Sequence, residues 1–177
     1  MDTIRLKDKE FKIFIPEAEI KAAIADVAIR IKRDMEGKDP LFVGVLTGAF
    51  VFVAELMLEM NGNYEVTFTR YQSYSGTGST GQISEVMPLT ADIKGRTVIL
   101  LEDIVDSGLT MDFLKKKMLE DGAADVKVAT MLLKPDALKC ELTVDYVGKE
   151  IPNDFIVGFG LDYDELGRAY RDIYKIV

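Results

Sequence analysis

Twice in this chain a short, unbroken apolar run passes through a turn of small or polar residues into a helical pattern. Leu41–Leu46 leads through Thr47-Gly48-Ala49 into Phe50–Met60, and residues 97–101 lead through an acidic loop into residues 110–120. An apolar run of five or six residues without polar alternation reads as a strand covered on both faces, the situation of a parallel sheet between helices. Such strands alternating with helices predict an α/β domain with a mainly parallel central sheet flanked by helices.

The remaining segments extend this pattern. Pro16 suits a helix start, and Ile20, Ile24, Val27, Ile31 and Met35 recur at spacings of three and four. They give one apolar face to a helix over residues 16–35, which Gly37 ends. Residues 64–74 are rich in β-formers and read as a strand, with residues 82–87 as the returning arm of a hairpin. Between them, Ser-Gly-Thr-Gly-Ser-Thr-Gly over residues 75–81 has the composition of a flexible loop. Further strands are expected over 126–133 and 155–159. No repeat or linker divides the chain, so residues 1–177 read as one domain. A small hood is expected from the N-terminal residues and roughly residues 146–177.

Composition narrows the chemistry. The chain has no histidine and one cysteine, Cys140. Histidine-based triads and ordinary zinc sites are therefore excluded, and acid–base work falls to Asp, Glu, Lys, Tyr or Cys. A bound metal is expected to be a hard one such as Mg2+, held by oxygen. Cys140 reads as a small buried hydrophobe. The net charge of −8 disfavours nucleic acid as a partner, and the Lys115-Lys116-Lys117 run reads as a solvated helix face. No apolar run has membrane-spanning length and no signal core opens the chain, so a cytoplasmic protein without membrane contact is expected.

The informative stretch is Glu102-Asp103-Ile104-Val105-Asp106-Ser107-Gly108-Leu109-Thr110, which follows a buried strand and enters a helix. In open α/β sheets, ligands sit beyond the carboxyl ends of strands. Gly108 lets successive amides converge, the helix start adds free N–H groups, and Ser107 and Thr110 add hydroxyls, which together suit a phosphate monoester. Glu102 and Asp103 suit hydroxyl groups, a magnesium ion, or both. Asp106 is free to act as a base. Taken singly, each residue has a plainer reading: Thr110 as a helix cap, Asp106 as a turn residue, Asp103 as an ordinary strand-end acid. Their joint placement between strand and helix favours a phosphorylated sugar.

This segment resembles the phosphoribosyl pyrophosphate motif of the type I phosphoribosyltransferases, and roughly residues 10–175 resemble the hypoxanthine-guanine branch of that family. The resemblance implies several further sites. Leu46, Thr47 and Gly48 match a pyrophosphate-binding loop, and the resemblance raises a cis Leu46–Thr47 peptide without fixing it. Arg168 matches a pyrophosphate contact. Ser73 and Tyr74 match a pair on a mobile catalytic loop. Lys134 matches a donor to the purine 6-oxygen, Phe155 a ring stacked on the base, Ile156 its neighbour in the purine pocket, and Asp162 an acid near a second magnesium. Leu109 and Thr47 stand where some relatives carry basic residues, at positions that act mainly through the backbone.

The resemblance implies a purine salvage enzyme that takes phosphoribosyl pyrophosphate and a 6-oxopurine, with Mg2+ as cofactor, and that assembles as a homodimer or homotetramer. Asp106 would then be the catalytic base. Glu102 and Asp103, with Asp162, would be metal ligands, and residues 102–103 and 106–110 would hold ribose and 5-phosphate. Two alternatives stand beside it: a nucleotide-sensing regulator on the same fold, which the acidic charge disfavours, and a phosphoribosyltransferase for another base, which Lys134 and Phe155 disfavour.

Overall fold

The computed structural model describes residues 3–73 and 83–177. Among these, two sheets form. The larger has six strands: β3 (Leu41–Leu46), β4 (Glu65–Ser73), β5 (Ile83–Met87), β6 (Thr97–Val105), β7 (Asp125–Leu133) and β8 (Tyr146–Glu150), in the order β5-β4-β3-β6-β7-β8. All neighbours are parallel except the β4–β5 hairpin. The predicted parallel α/β architecture is therefore the one observed.

Strand alternation explains how apolar runs become buried on both faces. Phe42, Ile99 and Leu101 point to one side, where α1 (Glu17–Asp34) and α2 (Phe50–Met60) pack. Leu41, Val43, Val45, Val98 and Leu100 point to the other, against α3 (Leu109–Glu120). β3 and β6 are adjacent, yet the chain leaves β3 through α2 to β4 and leaves β6 through α3 to β7 on the opposite side. The loops after β3 and β6 diverge at this point, and such a divergence opens a crevice at the carboxyl ends of the strands.

The smaller sheet is antiparallel and joins sequence-distant segments: β1 (Thr3–Leu6), β2 (Lys9–Ile15), β10 (Ile173–Ile176) and β9 (Ile156–Val157), in the order β1-β2-β10-β9. Ile15, Ile156 and Ile173 feed the core under α1 and α2. Leu6, Phe11, Val157 and Tyr174 pack among themselves on the outer side.

Several elements differ from the sequence reading. Residues 146–150, grouped with the hood, instead form β8 at the edge of the large sheet. The strand expected over 155–159 shrinks to Ile156–Val157, because Gly158, Phe159 and Gly160 all have positive φ and turn the chain away. β1, β2 and β10 were not anticipated, although Phe11, Ile13 and Ile15 alternate along β2 as a half-buried strand requires. α3 begins at Leu109 with Gly108 as its N-cap, so Thr110 lies inside the first turn and does not cap it.

α1 shows how the two sheets are tied. Its N-cap, Pro16, provides no side-chain acceptor. The amide of Glu17 instead donates to Asp172 Oδ1 at 2.7 Å, across nearly the whole sequence. A carboxylate at a helix N-terminus satisfies a free donor and meets the positive end of the helix dipole. Asp172→Ala is expected to lower unfolding free energy by about 1–2 kcal/mol, read from urea denaturation at constant m-value; an unchanged midpoint would show that the remote cap contributes nothing.

Candidate active site

The crevice is built around the carboxyl end of β6. Glu102 and Asp103 keep some exposed surface, but their carboxyl groups lie deep and close together. Burial, and then the Asp103 charge, push the Glu102 carboxyl well above the usual range. Burial pushes Asp103 up as well, opposed by its hydrogen bonds with Glu102 and the Ile104 amide and by the positive charge of Arg168. The Ile104 amide donates to Asp103 Oδ1 at 2.9 Å. Two acids held this way suit a cation or a row of hydroxyl donors. Among the described residues no third Asp, Glu or Cys joins them as a metal-binding group. A hard cation here would take the rest of its coordination from substrate oxygens, as magnesium often does.

The loop after β3 comes directly against this pair. A Cβ on Gly48 would lie 1.9 Å from Asp103 Oδ2, so only glycine lets the backbone approach the carboxylate. A Cβ on Gly160 would lie 2.1 Å from the Gly48 carbonyl oxygen. Arg168 Nη1 donates to the Gly160 carbonyl at 2.8 Å. The structure thus places Gly48, Asp103, Gly160 and Arg168 in one contiguous stack. The Leu46–Thr47 peptide is cis. Asp162 sits beside this stack with both carboxylate oxygens engaged, one by Arg168 at 3.0 Å and one by the Glu165 amide at 2.8 Å.

At the junction of β6 and α3, a small cavity of about 120 Å³ is lined by Glu102, Asp106, Ser107, Gly108 and Thr110, among others. Gly108 has φ +77° and opens α3, whose first amides have no partner within the helix. The Leu109 amide faces the Ser107 hydroxyl at 3.4 Å. A concavity of amides and hydroxyls at a helix start is suited to an anion. Cys140, expected to be buried, is only half-buried. Its thiol, pushed up by desolvation, lies 3.8 Å from the Ser107 carbonyl beneath this loop.

Strand register brings in the next group. Val105 pairs with Leu133 at the ends of β6 and β7, so the residues that follow, Asp106 and Lys134, become neighbours. Lys134 is 7% exposed, and its ammonium donates to Asp106 Oδ2 at 3.0 Å and to Asn153 Oδ1 at 3.3 Å. Asp106 is therefore held in an ion pair with Lys134 while its side chain stays about half exposed. Phe155 is 45% exposed, its ring edge-on to Tyr163 at 5.8 Å and tilted against Phe11 at 6.1 Å. Ile156 is buried in β9, with its side chain in the core, so any ligand contact falls to its backbone. Ser73 closes β4 opposite Ile83. Tyr74 and the glycine-rich loop lie outside the described residues.

Sequence reading missed Asn153 and the Gly48–Gly160 contact. Asn153 follows a proline in an unremarkable loop, and only the meeting of β7, β8 and β9 makes it a neighbour of Lys134.

This geometry has close counterparts. The family profile for the phosphoribosyl transferase domain matches residues 16–164. A hypoxanthine-guanine phosphoribosyltransferase of Streptococcus pneumoniae is 41% identical over 163 residues, covering 92% of this chain and 89% of that one. Its namesake in Aquifex aeolicus is 34% identical, with 97% of each chain covered. A crystal structure of a hypoxanthine-guanine phosphoribosyltransferase from Bacillus anthracis superposes with a TM-score of 0.89 at 36% identity, over 94% of this chain and 98% of that one. Agreement in sequence and in backbone over nearly the full length leaves one assignment: the chain belongs to the phosphoribosyl transferase family, among the hypoxanthine-guanine phosphoribosyltransferases.

Proposed function

We propose that this chain transfers the 5-phosphoribosyl group of phosphoribosyl pyrophosphate to a 6-oxopurine, giving a purine nucleotide and pyrophosphate in purine salvage. The observation that carries this reading is the Asp106–Lys134 pair, set by β6–β7 register at the lip of the phosphate-type loop. One segment thus provides an anion cradle, an acid and, through its partner, a cationic donor.

In this reading the amides and hydroxyls of residues 106–110 hold the 5-phosphate. Glu102 and Asp103 hold the ribose hydroxyls and would be the residues to hold Mg2+, and Asp162 would serve a second ion. When bound, magnesium neutralises charge on the departing pyrophosphate. Leu46, Thr47, Gly48 and Arg168 line the place where that group leaves. The purine stacks on Phe155 and turns its 6-oxygen to Lys134. Purine N9 forms the bond to the anomeric carbon as the bond to the pyrophosphate oxygen breaks, and Asp106 takes the N7 proton. The hood contributed by the small sheet covers the base.

A lysine donor favours an oxo over an amino group at the purine 6-position, which supports hypoxanthine and guanine over adenine. The acidic chain supports neither RNA nor membrane as a partner, and no described helix is long and apolar enough to cross a membrane. We place the activity in the cytoplasm, in line with a single free cysteine and phosphorylated substrates. We also propose assembly as a homodimer or homotetramer, for which exposed Phe50, Leu58 and Tyr170 provide apolar surface.

The test is a base screen with phosphoribosyl pyrophosphate and magnesium. Nucleotide is expected with hypoxanthine and guanine. Product with adenine or uracil alone would overturn the base pocket, and none with any base would favour a regulator. Asp106→Asn is expected to lower turnover with hypoxanthine by roughly 10²–10⁴-fold, measured at saturating substrates; full turnover would remove Asp106 from its role.

A further inference from the structure

Among the described residues Lys134 is the only Lys or Arg that is buried. Its ammonium carries three N–H donors. Asp106 Oδ2 takes one at 3.0 Å and Asn153 Oδ1 a second at 3.3 Å. One donor is left for a ligand.

Asn153 lies in the connection between β8 and β9, which is pinned on both sides. The Ile151 amide donates to the Leu133 carbonyl at 2.9 Å, next to Lys134. The Ile176 amide donates to the Phe155 carbonyl at 3.1 Å, and Lys175 pairs with Asp154 at 3.3 Å. The same short loop thus carries an acceptor for the lysine and, two residues on, the exposed ring of Phe155.

We infer that Asn153 is a positioning residue for purine selection: its side-chain oxygen fixes Lys134 so that the remaining N–H meets the 6-oxygen of a base stacked on Phe155. This rests on the base pocket described under the proposed function. Asp106 alone leaves the ammonium free to rotate about one ion pair. Two acceptors in different directions fix the third proton, and they do so from the loop that sets the ring. An amino group at the purine 6-position would then present a donor to a donor. Asn153 itself is exposed at the rim, so its replacement leaves the core untouched.

The test compares KM for hypoxanthine and for phosphoribosyl pyrophosphate in four forms of the full chain: Asn153→Leu, Asn153→Asp, Lys134→Ala, and Asn153→Leu with Lys134→Ala. Asn153→Leu keeps the size but removes the acceptor and is expected to raise KM for hypoxanthine on the order of tenfold. KM for phosphoribosyl pyrophosphate and kcat should hold. Asn153→Asp keeps an acceptor oxygen and should restore the hypoxanthine KM. In the double variant, loss of Asn153 should add nothing to loss of Lys134. A normal hypoxanthine KM in Asn153→Leu, beside a raised one in Lys134→Ala, would overturn the inference and leave the pocket standing. Equal rises for both substrates would assign Asn153 a structural role and overturn it too. A normal hypoxanthine KM in Lys134→Ala would bring down the pocket itself.

Discussion

β6 is hydrogen-bonded in parallel on both edges, with β3 on one side and β7 on the other, and its neighbours' loops inherit their positions from that pairing. Its carboxyl end carries Glu102, Asp103 and Asp106 within five residues. The β3 side brings Gly48 against Asp103, and the β7 side brings Lys134 against Asp106. A slip of one residue in either ladder would turn these side chains to the opposite face of the sheet. The apolar alternation along Thr97–Val105 holds the register, because Val98 and Leu100 belong to one core and Ile99 and Leu101 to the other.

The acidic pair is a burden on the free protein. Two carboxyls buried side by side resist ionisation, and Arg168 offers only partial relief while it also serves Asp162 and Glu165. Lys134 with Asp106 is the opposite arrangement, a buried charge matched by a carboxylate and a second acceptor. Functional sites commonly store such mismatches, and the surrounding core sustains them. Here the surrounding core is extensive: Phe42, Phe52, Ile99, Leu100 and Leu101 are all fully buried around the strands that carry the acids.

The parallel core and its helices were legible in sequence because unbroken apolar runs and helical spacing leave few other folds. The strand–loop–helix segment over residues 97–120 was legible because its acids, glycine and flanking elements lie together in sequence. What escaped was set by long-range pairing. β8 and β10 are short and carry charged residues, so their pairing partners decide them more than their own sequences do. The partnership of Asp106 with Lys134 depends on β6–β7 register, and that of Lys134 with Asn153 depends on where two sheets meet. Neither leaves a mark in either residue's neighbourhood. Cys140 read as buried because its type usually is, whereas its loop follows the surface past Ser107.

The small sheet pairs Ile15 with Ile173, and Asp172 reaches back to the first turn of α1. Contacts so distant along the chain close large loops and gain little until their partners are already fixed. The loop over residues 106–110 is instead made by near neighbours in sequence, between β6 and α3. The two halves of the crevice thus differ in what they depend on: one on a local turn, the other on pairings that span nearly the whole chain. Damage to either end of the chain therefore falls first on the surface beneath Phe155.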